Sequence, residues 1–424
     1  MSILSSMYIA NSGMRANEAA IGVIGDNLAH LNTIGFKGSR AVFSDVLYRT
    51  VFGSGPPSQA GLGTQIQAIQ RMVTQGGLVG TGLVTDVAIA GDGFLIVDGE
   101  GPRGDGRYFT RNGQLEIDQE GFLINPTGMR VQGFMANSDG SLQATLKDLE
   151  IAGQVHQPRA TQLVNIEVNL DATTPQNPVA FDPANPDTTS QFSTTVTVFD
   201  SLGVAHQVDV YFERGAGNTW TYHVMVDGTE VGQAPGPIEI GNGTLTFDGN
   251  GNLQNETVTT PATVTFSGAS PQTITFDFGD ETVPNGSRQQ TGPNSIEFLD
   301  QDGFAAGLLE FFTINTDGTV VGTFSNGQQR NLAQLALAHF GAPQELRAEG
   351  ENLFQESQLS GEPVIGEPLT DGRGAIVSGT LEQSNVDLST EFTQMIISQR
   401  AFQASSRTIT TADQMLVELV NLKR

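Results

Sequence analysis

Residues 388–422 read LSTEFTQMIISQRAFQASSRTITTADQMLVELVNL. Five apolar side chains recur in this stretch at strict seven-residue spacing and a sixth widens the stripe: Leu388, Met395, Phe402, Ile409, Leu416 and Leu419. A seven-residue apolar repeat is typical of helices that pack as coiled coils. The stretch therefore predicts a long carboxyl-terminal helix with an apolar seam.

The amino-terminal thirty residues repeat this pattern with smaller side chains. Their predicted seam consists of Met7, Met14, Ile21, Ile24, Leu28 and Leu31. Three glycines, Gly13, Gly22 and Gly25, each cost about 1 kcal/mol relative to Ala in a helix interior. We therefore expect this helix to depend on packing partners and both ends to become ordered on assembly. For either helix alone, an amphipathic helix on an ordinary core remains the alternative.

The charge of the chain is concentrated in its middle. The formal net charge is −26. Residues 1–50 carry four basic and three acidic side chains, and residues 381–424 carry four and five. Neutral ends and an acidic middle favour a chain whose ends pack against copies of itself while its middle faces water. With only three lysines in the chain, nucleic acid and anionic membranes are disfavoured as partners.

Neither disulfides nor membrane insertion are expected. The chain has no cysteine, so it has no thiolate metal site or thiol nucleophile. No apolar run approaches the roughly 18 residues of a membrane span. The first residues lack the basic and apolar regions of a signal peptide, so we expect any export to proceed without a cleaved signal peptide.

The middle of the chain alternates in the period of strands. TTVTVF at 194–199, VDVYF at 208–212 and TITFDF at 273–278 each fit a strand with one wet face. Asp-Gly and Asn-Gly pairs punctuate such runs, as in tight turns. The predicted fold class is mainly β and multi-domain, with antiparallel β domains nested between terminal α-helices that carry coiled-coil heptads.

Composition shifts predict four regions. Residues 1–31 with 384–424 form a terminal helical layer, the inner core. Residues 32–75 with 356–383 form an extended connector. Residues 76–151 with 297–355 form a discontinuous inner β domain, and residues 152–296 form an inserted outer β domain.

The sequence gives no catalytic, cofactor or metal site. The five histidines are scattered, and the sequence has no nucleophile elbow and no phosphate loop. Residues 248–252, DGNGN, alternate like a calcium loop, but Leu253 stands where Gly is required and Thr259 where Glu is required. A hairpin turn explains them better. A glycosidase carboxylate pair has no fixed spacing, so a secreted β-rich hydrolase stays open as an alternative.

Both ends resemble one protein family. Residues 26–37, DNLAHLNTIGFK, and the run from Leu381 to the end are similar to the terminal signatures of bacterial flagellar rod and hook proteins. Residues 90–94 (AGDGF) and 108–113 (YFTRNG) also match family segments. The motif residues that carry the resemblance are Asn27, Asn32, Thr33, Gly35, Phe36, Lys37, Ser384, Asn385, Val386, Asp387, Gln399 and Arg400.

Within this family, the length and the insertion around FDSLGVAH, residues 199–206, favour a hook subunit. The resemblance implies a non-enzymatic structural protein that polymerises helically into the flexible joint between rod and filament. It implies as partners other copies of the chain, the rod, the hook cap, the hook–filament junction proteins and the flagellar type III export apparatus. It implies an extracellular location in the hook and basal body. A rod subunit and a hook-associated junction protein are the alternatives.

Overall fold

The computed structural model describes residues 3–51, 58–176, 179–279 and 286–421. In this part of the chain strands predominate, and a long helix stands at each end. The helices are α1 (Ile3–Ala29), the single turn α2 (Pro186–Thr189) and α3 (Leu388–Asn421). The predicted fold class, mainly β between terminal helices, is confirmed. The coiled-coil packing of those helices remains a prediction.

The chain divides into two compact units. Unit 1 comprises Met1–Gly153, Phe311–Gly322 and Gln329–Arg424, and unit 2 comprises Gln154–Glu310 and Thr323–Gln328. Unit 2 overlaps most of the predicted outer domain. The four-region division remains a proposal.

The terminal helices of unit 1 pack antiparallel. The Asn27 side chain hydrogen bonds the Glu391 carboxylate at 3.0 Å, and Gly13 lies beside Ser405, fourteen residues along each helix. The start of α3 is fixed by Asp387, whose carboxylate accepts a 2.7 Å hydrogen bond from the Thr390 backbone N–H. This is the N-cap geometry that satisfies a free donor of the first turn.

Two antiparallel ribbons follow α1. Their strands are β1 (Ser39–Asp45), β2 (Tyr48–Val51), β3 (Ser58–Gly61) and β4 (Thr64–Arg71), with β1 on β4 and β2 on β3. Residues 32–75 were expected to form an irregular or extended connector. The structure differs because the alternating residues of 64–71 pair with those of 39–45 along their whole length.

The central sheet of unit 1 includes six neighbouring strands in the order β25 (Gln329–Leu335), β11 (Arg130–Ala136), β7 (Phe94–Gly101), β8 (Gly104–Thr110), β28 (Leu353–Gln355) and β27 (Arg347–Gly350). The strands before unit 2 are β5 (Leu78–Gly80), β6 (Val87–Ala90), β7 (Phe94–Gly101), β8 (Gly104–Thr110), β9 (Glu116–Ile117), β10 (Leu123–Ile124), β11 (Arg130–Ala136) and β12 (Leu142–Asp148). Its core is aromatic, because the rings of Phe94, Phe109 and Phe340 meet edge to face.

Unit 2 has its own core between two sheets, β20-β21-β14-β22 and β15-β16-β17-β18-β19. Its strands are β13 (Val155–His156), β14 (Leu163–Asn169), β15 (Phe192–Phe199), β16 (Ala205–Arg214), β17 (Thr219–Asp227), β18 (Pro237–Phe247), β19 (Leu253–Thr260), β20 (Ala262–Val264), β21 (Gln272–Asp277) and β22 (Ser295–Gln301). Trp220 and Phe212 are fully buried in this core. The pairing is antiparallel except between β14 and β21, which run parallel.

The chain crosses the division between the units within β23 (Gly307–Ile314) and β24 (Thr319–Phe324). The strands that complete unit 1 are β25 (Gln329–Leu335), β26 (Leu337–His339), β27 (Arg347–Gly350), β28 (Leu353–Gln355), β29 (Val364–Gly366), β30 (Ala375–Ser378) and β31 (Thr380–Glu382). The last three lie in the predicted connector 356–383, yet they pair with β26, β6 and β5. This segment therefore belongs to the sheets of unit 1.

Candidate functional site

Three buried charged side chains join distant parts of unit 1. The Lys37 ammonium lies 2.6 Å from Oε1 of Glu382, and Nη1 of Arg111 lies 3.2 Å from Oε2 of the same carboxylate. The side chains of Lys37 and Glu382 are fully buried. We call these three residues the buried ion cluster. It ties the segment after α1 to the central sheet and to the segment before α3.

The cluster holds two cations against one carboxylate. Burial lowers the pKa of the Lys37 ammonium from its ordinary 10.5, although the charge of Glu382 and the hydrogen bond to it act in the opposite direction. Burial also lowers the pKa of the Arg111 guanidinium. Backbone carbonyls complete the coordination, because Lys37 donates to Thr74 O at 2.8 Å and Arg111 donates to Gly91 O at 2.7 Å. Both cations therefore depend on Glu382.

Gly35 brings the motif loop against the cluster. Its φ is +69°, and a Cβ at this position would lie 2.6 Å from the Arg111 carbonyl carbon and oxygen. Its N–H donates a 2.7 Å hydrogen bond to Glu382 O. Only glycine combines this backbone conformation with this close approach to another backbone.

Two asparagines fasten the backbone on either side of the cluster. Asn385 accepts from Gly38 N–H at 2.8 Å and donates to Met72 O at 2.7 Å. The buried Asn27 accepts from Ser39 N–H and donates to Ser39 O, both at 2.8 Å. These bonds satisfy backbone groups where α1 ends and β1 begins.

The Asn27 amide also donates to Glu391, and burial raises the pKa of this carboxyl group against that hydrogen bond. Hydrogen bonds from Thr390 hold the pKa of the Asp387 carboxyl below its usual range. The start of α3 thus has two carboxyl groups in different surroundings: Asp387 is exposed and caps the helix, and Glu391 is buried.

The other motif residues lie around this junction or away from it. Val386 is buried beside Gly38, and Ser384 accepts from its N–H at 3.3 Å. The Phe36 ring stacks on His30 at 4.4 Å between centroids. Asn32 is exposed and Thr33 half-buried, and Gln399 and Arg400 are exposed on α3, so the structure does not bring these last two to the cluster.

The predicted seam residues are not the most buried face of either terminal helix. The most buried residues of the two helices are Ala10, Ala16, Ala20, Ile24, Asn27, Glu391, Ser398 and Ala412. Of the predicted seam only Ile24 is among them. Leu388 and Leu419 are exposed, and the other predicted members are half-buried. Small side chains therefore form the contact within one chain, and a role of the larger ones between chains stays a prediction.

Sequence reasoning missed two members of the buried ion cluster. Arg111 lies inside the matched segment YFTRNG and Glu382 inside the matched carboxyl-terminal run, but neither was assigned a role. The sequence around them gives no sign of burial, because Glu382 is followed by Gln383 and Arg111 lies between Thr110 and Asn112. Glu382 lies 345 residues after Lys37 in the sequence, so no local spacing indicates that the two side chains are in contact.

The described residues contain no group of three or more His, Asp or Glu side chains that could hold a metal ion. No helix among these residues is both long and apolar enough to cross a membrane. Large exposed apolar side chains are instead frequent on the terminal helices and ribbons, among them Tyr8, Leu47, Tyr48, Ile69, Phe392 and Ile397. Rows of such side chains mark surfaces that contact other proteins.

Comparison with known proteins assigns the chain to a family. It is 35% identical to the flagellar hook protein FlgE of Treponema pallidum over 100% of both chains. It is also 35% identical to that of Escherichia coli, over 98% of this chain and 99% of the relative. The chain belongs to the flagellar hook protein FlgE family. The hook protein of Borreliella burgdorferi is 32% identical over 99% of this chain and 100% of the relative.

Family models match three stretches of the chain. The Flagellar hook protein FlgE/F/G D1 domain matches residues 88–174, the Flagellar basal body protein FlaE D2 domain matches residues 169–304, and the Flagellar basal body rod FlgEFG protein C-terminal matches residues 377–422. The crystal structure of Helicobacter pylori flagellar hook protein FlgE2 aligns with a TM-score of 0.50 at 17% identity, covering 72% of this chain and 100% of that one. This likeness concerns the fold alone. The full-length relatives are hook proteins, which favours a hook subunit over a rod subunit.

Proposed function

We propose that this hook-family chain polymerises helically into a flexible tube that transmits torque from the rod to the filament. The supporting observation is the division of surface properties along the chain. Large exposed apolar side chains concentrate on the terminal helices and their ribbons. Unit 2 carries 19 acidic and three basic side chains. Ends of near-zero net charge suit permanent contacts between copies, and an acidic unit suits weak contacts that rearrange as a tube bends.

The terminal helices would then form the inner layer of the tube, and the β domains its outer layers. The protein would act as a structural element and not as an enzyme. Its location is the flagellar hook, outside the cell. Its further partners would be the rod, the hook cap, the hook–filament junction proteins and the flagellar type III export apparatus. These partners are inferred from family membership, since the structure of a single chain contains no contact with another protein.

Electron microscopy of the purified, polymerised chain tests this function. A hook subunit gives curved tubes, because its outer contacts rearrange, whereas a rod subunit gives straight ones. Restored motility when the chain replaces the hook protein of a related bacterium is the second expected result. Straight polymer, or no polymer over a wide range of salt and protein concentration, would contradict the proposal.

A further inference from the structure

A groove of about 580 Å³ opens where α1, α3 and the start of β4 meet. Its lining includes Ala10, Gly13, Gly63, Ala404, Ser405 and Thr408. Every residue that lines it is uncharged, and most are small. The volume lies within the roughly 300–1,000 Å³ of sites that take up sizeable ligands. The groove therefore suits large, uncharged, apolar groups.

The close approach of the two helices explains why the groove exists. A Cβ on Gly13 would lie 3.2 Å from the Ser405 hydroxyl oxygen. Glycine and serine let the helices come this close, but they have no side-chain volume with which to fill the space beside the contact. Ala404, next to the contact on α3, is exposed at the groove.

An apolar ridge lies elsewhere on the same helix. Leu388, Phe392 and Ile396 follow each other at four-residue spacing, so they share one face of α3. Their exposed fractions are 44%, 49% and 50%. A single exposed apolar residue needs no explanation, but a row of three large ones does.

A second set of exposed apolar residues near the end of α3 forms no such row. Met415, Val417, Leu419 and Val420 are all more than half exposed. At about 100° per residue, Met415 and Leu419 share one face, but Val417 and Val420 lie on other faces, so no three of the four form a row. Leu388, Phe392 and Ile396 thus make the one straight apolar ridge among the described residues of α3.

Resting on the proposed function, we propose that the ridge of one copy inserts into the groove of the next copy, with Phe392 against Ala404. A second copy is the occupant because every copy carries both the groove and the ridge, and both are uncharged. The two surfaces can therefore meet without the repulsion that the net charge of −26 causes between acidic surfaces.

Geometry makes this contact open-ended. Phe392 and Ala404 are 12 residues apart on α3, which is about 18 Å at 1.5 Å per residue. A ridge and a groove at different places on one molecule form a heterologous contact. Such a contact adds copies without limit when the rotation does not close a ring, as a tube requires.

Paired charge substitutions test the contact. Phe392→Lys places a cation on the ridge, and Ala404→Asp places a carboxylate in the groove. We expect each single variant to raise the critical concentration for polymer formation at least about tenfold, because each buries an unpaired charge. The double variant Phe392→Lys/Ala404→Asp should recover polymer, since each contact then holds one charge of each sign. Mixing the two single variants should also give polymer, with copies alternating.

Matched controls separate this contact from a general effect of charge. Thr393→Lys and Gln403→Asp place the same charges on exposed neighbours of the two sites, so both should polymerise like the unaltered chain. Far-ultraviolet circular dichroism of each monomer verifies that α1 and α3 remain folded. Sedimentation measures polymer.

Three outcomes would overturn the proposal. Single variants that both polymerise like the unaltered chain would remove it, and so would a double variant as defective as the single ones. Binding of the apolar dye ANS to the unaltered chain that Ala404→Asp abolishes without loss of polymer would assign the groove to a small apolar ligand. Absence of polymer from the unaltered chain contradicts the proposed function itself, and this contact with it.

Discussion

At the scale of single residues, the buried Glu382 joins three parts of unit 1. Its two carboxylate oxygens face different cations, Lys37 and Arg111, and Oε1 also accepts from Gly76 N–H at 2.8 Å. Removing a carboxylate from such a site leaves two buried positive charges without a counter-ion. An unpaired buried charge destabilises far more than an intact pair stabilises.

Glu382→Gln should therefore lower the free energy of unfolding of unit 1 by about 3–5 kcal/mol, the range for breaking a buried ion pair. The amide keeps the shape of the side chain and removes its charge. Urea unfolding followed by far-ultraviolet circular dichroism measures the loss. The matched control is Glu362→Gln on an exposed side chain, which should change stability by less than about 0.5 kcal/mol.

The deficit of Glu382→Gln should shrink as the pH rises toward 10.5, the ordinary lysine value. Burial lowers the pKa of Lys37 in the folded chain, so the folded state binds fewer protons than the unfolded state between the two pKa values. Stability rises with pH in that window. Without the carboxylate the pKa falls further, so the variant begins to recover at a lower pH than the unaltered chain. A deficit that stays constant between neutral pH and this limit would show that Lys37 is not the destabilised group.

Single residues also show which contacts could not be predicted from the sequence. The resemblance identified Lys37, Gly35 and Asn385, and the structure brings all three to one junction. It did not connect Lys37 with Glu382. Hydrophobic periods report on neighbours within a few turns, whereas this contact depends on the closure of the whole unit. Distant ion pairs leave no local pattern.

The terminal helices show the same limit for whole elements. Seven-residue spacing predicted two helices at the ends, and the helices are there. The seven-residue repeat alone does not show which face of α1 contacts α3 within one chain. The structure places Gly13 against Ser405, so this close contact uses small side chains, whereas Met395 and Phe402 of the predicted seam are half-buried.

Gly13→Leu should destabilise the helix pair by about 1–3 kcal/mol, because the added side chain meets Ser405 and forces α1 and α3 apart. Gly22→Leu is the matched control. A Cβ at Gly22 has nothing within 4 Å, so leucine there should stabilise α1 by roughly 0.5–1 kcal/mol through helix propensity. Thermal unfolding followed by circular dichroism distinguishes the two. Equal effects of the two substitutions would contradict the close approach at Gly13.

For the whole molecule, the main feature is that unit 2 has a core of its own. The cluster of buried residues from Val164 to Phe278 includes Trp220, the only tryptophan of the chain, which is fully buried. The alternation of residues 194–199 predicted a strand with one wet face, and β15 has alternating buried and exposed side chains there. The parallel pairing of β14 with β21 was not predictable from alternation, because a period of two gives the wet face of a strand and not its direction.

A fragment of residues 154–310 should fold into a soluble monomer that unfolds cooperatively. Its Trp220 fluorescence should be blue-shifted, and the denaturant midpoint of that signal should match the midpoint in the full chain. In the full-length Glu382→Gln variant the same signal should keep its midpoint while the circular dichroism transition moves. A fragment with the emission of exposed tryptophan would show that this core needs residues outside 154–310.

The buried ion cluster also has a consequence in time. Ribosomes build chains from the amino end at roughly 5–20 residues per second, and 345 residues separate Lys37 from Glu382. Lys37 is therefore synthesised roughly 20–70 s before Glu382. During this interval the lysine has no carboxylate with which it could be buried as an ion pair. A chain that ends before residue 382 lacks the carboxylate that both buried cations need, so the cluster in unit 1 can be completed only when nearly the whole chain is present.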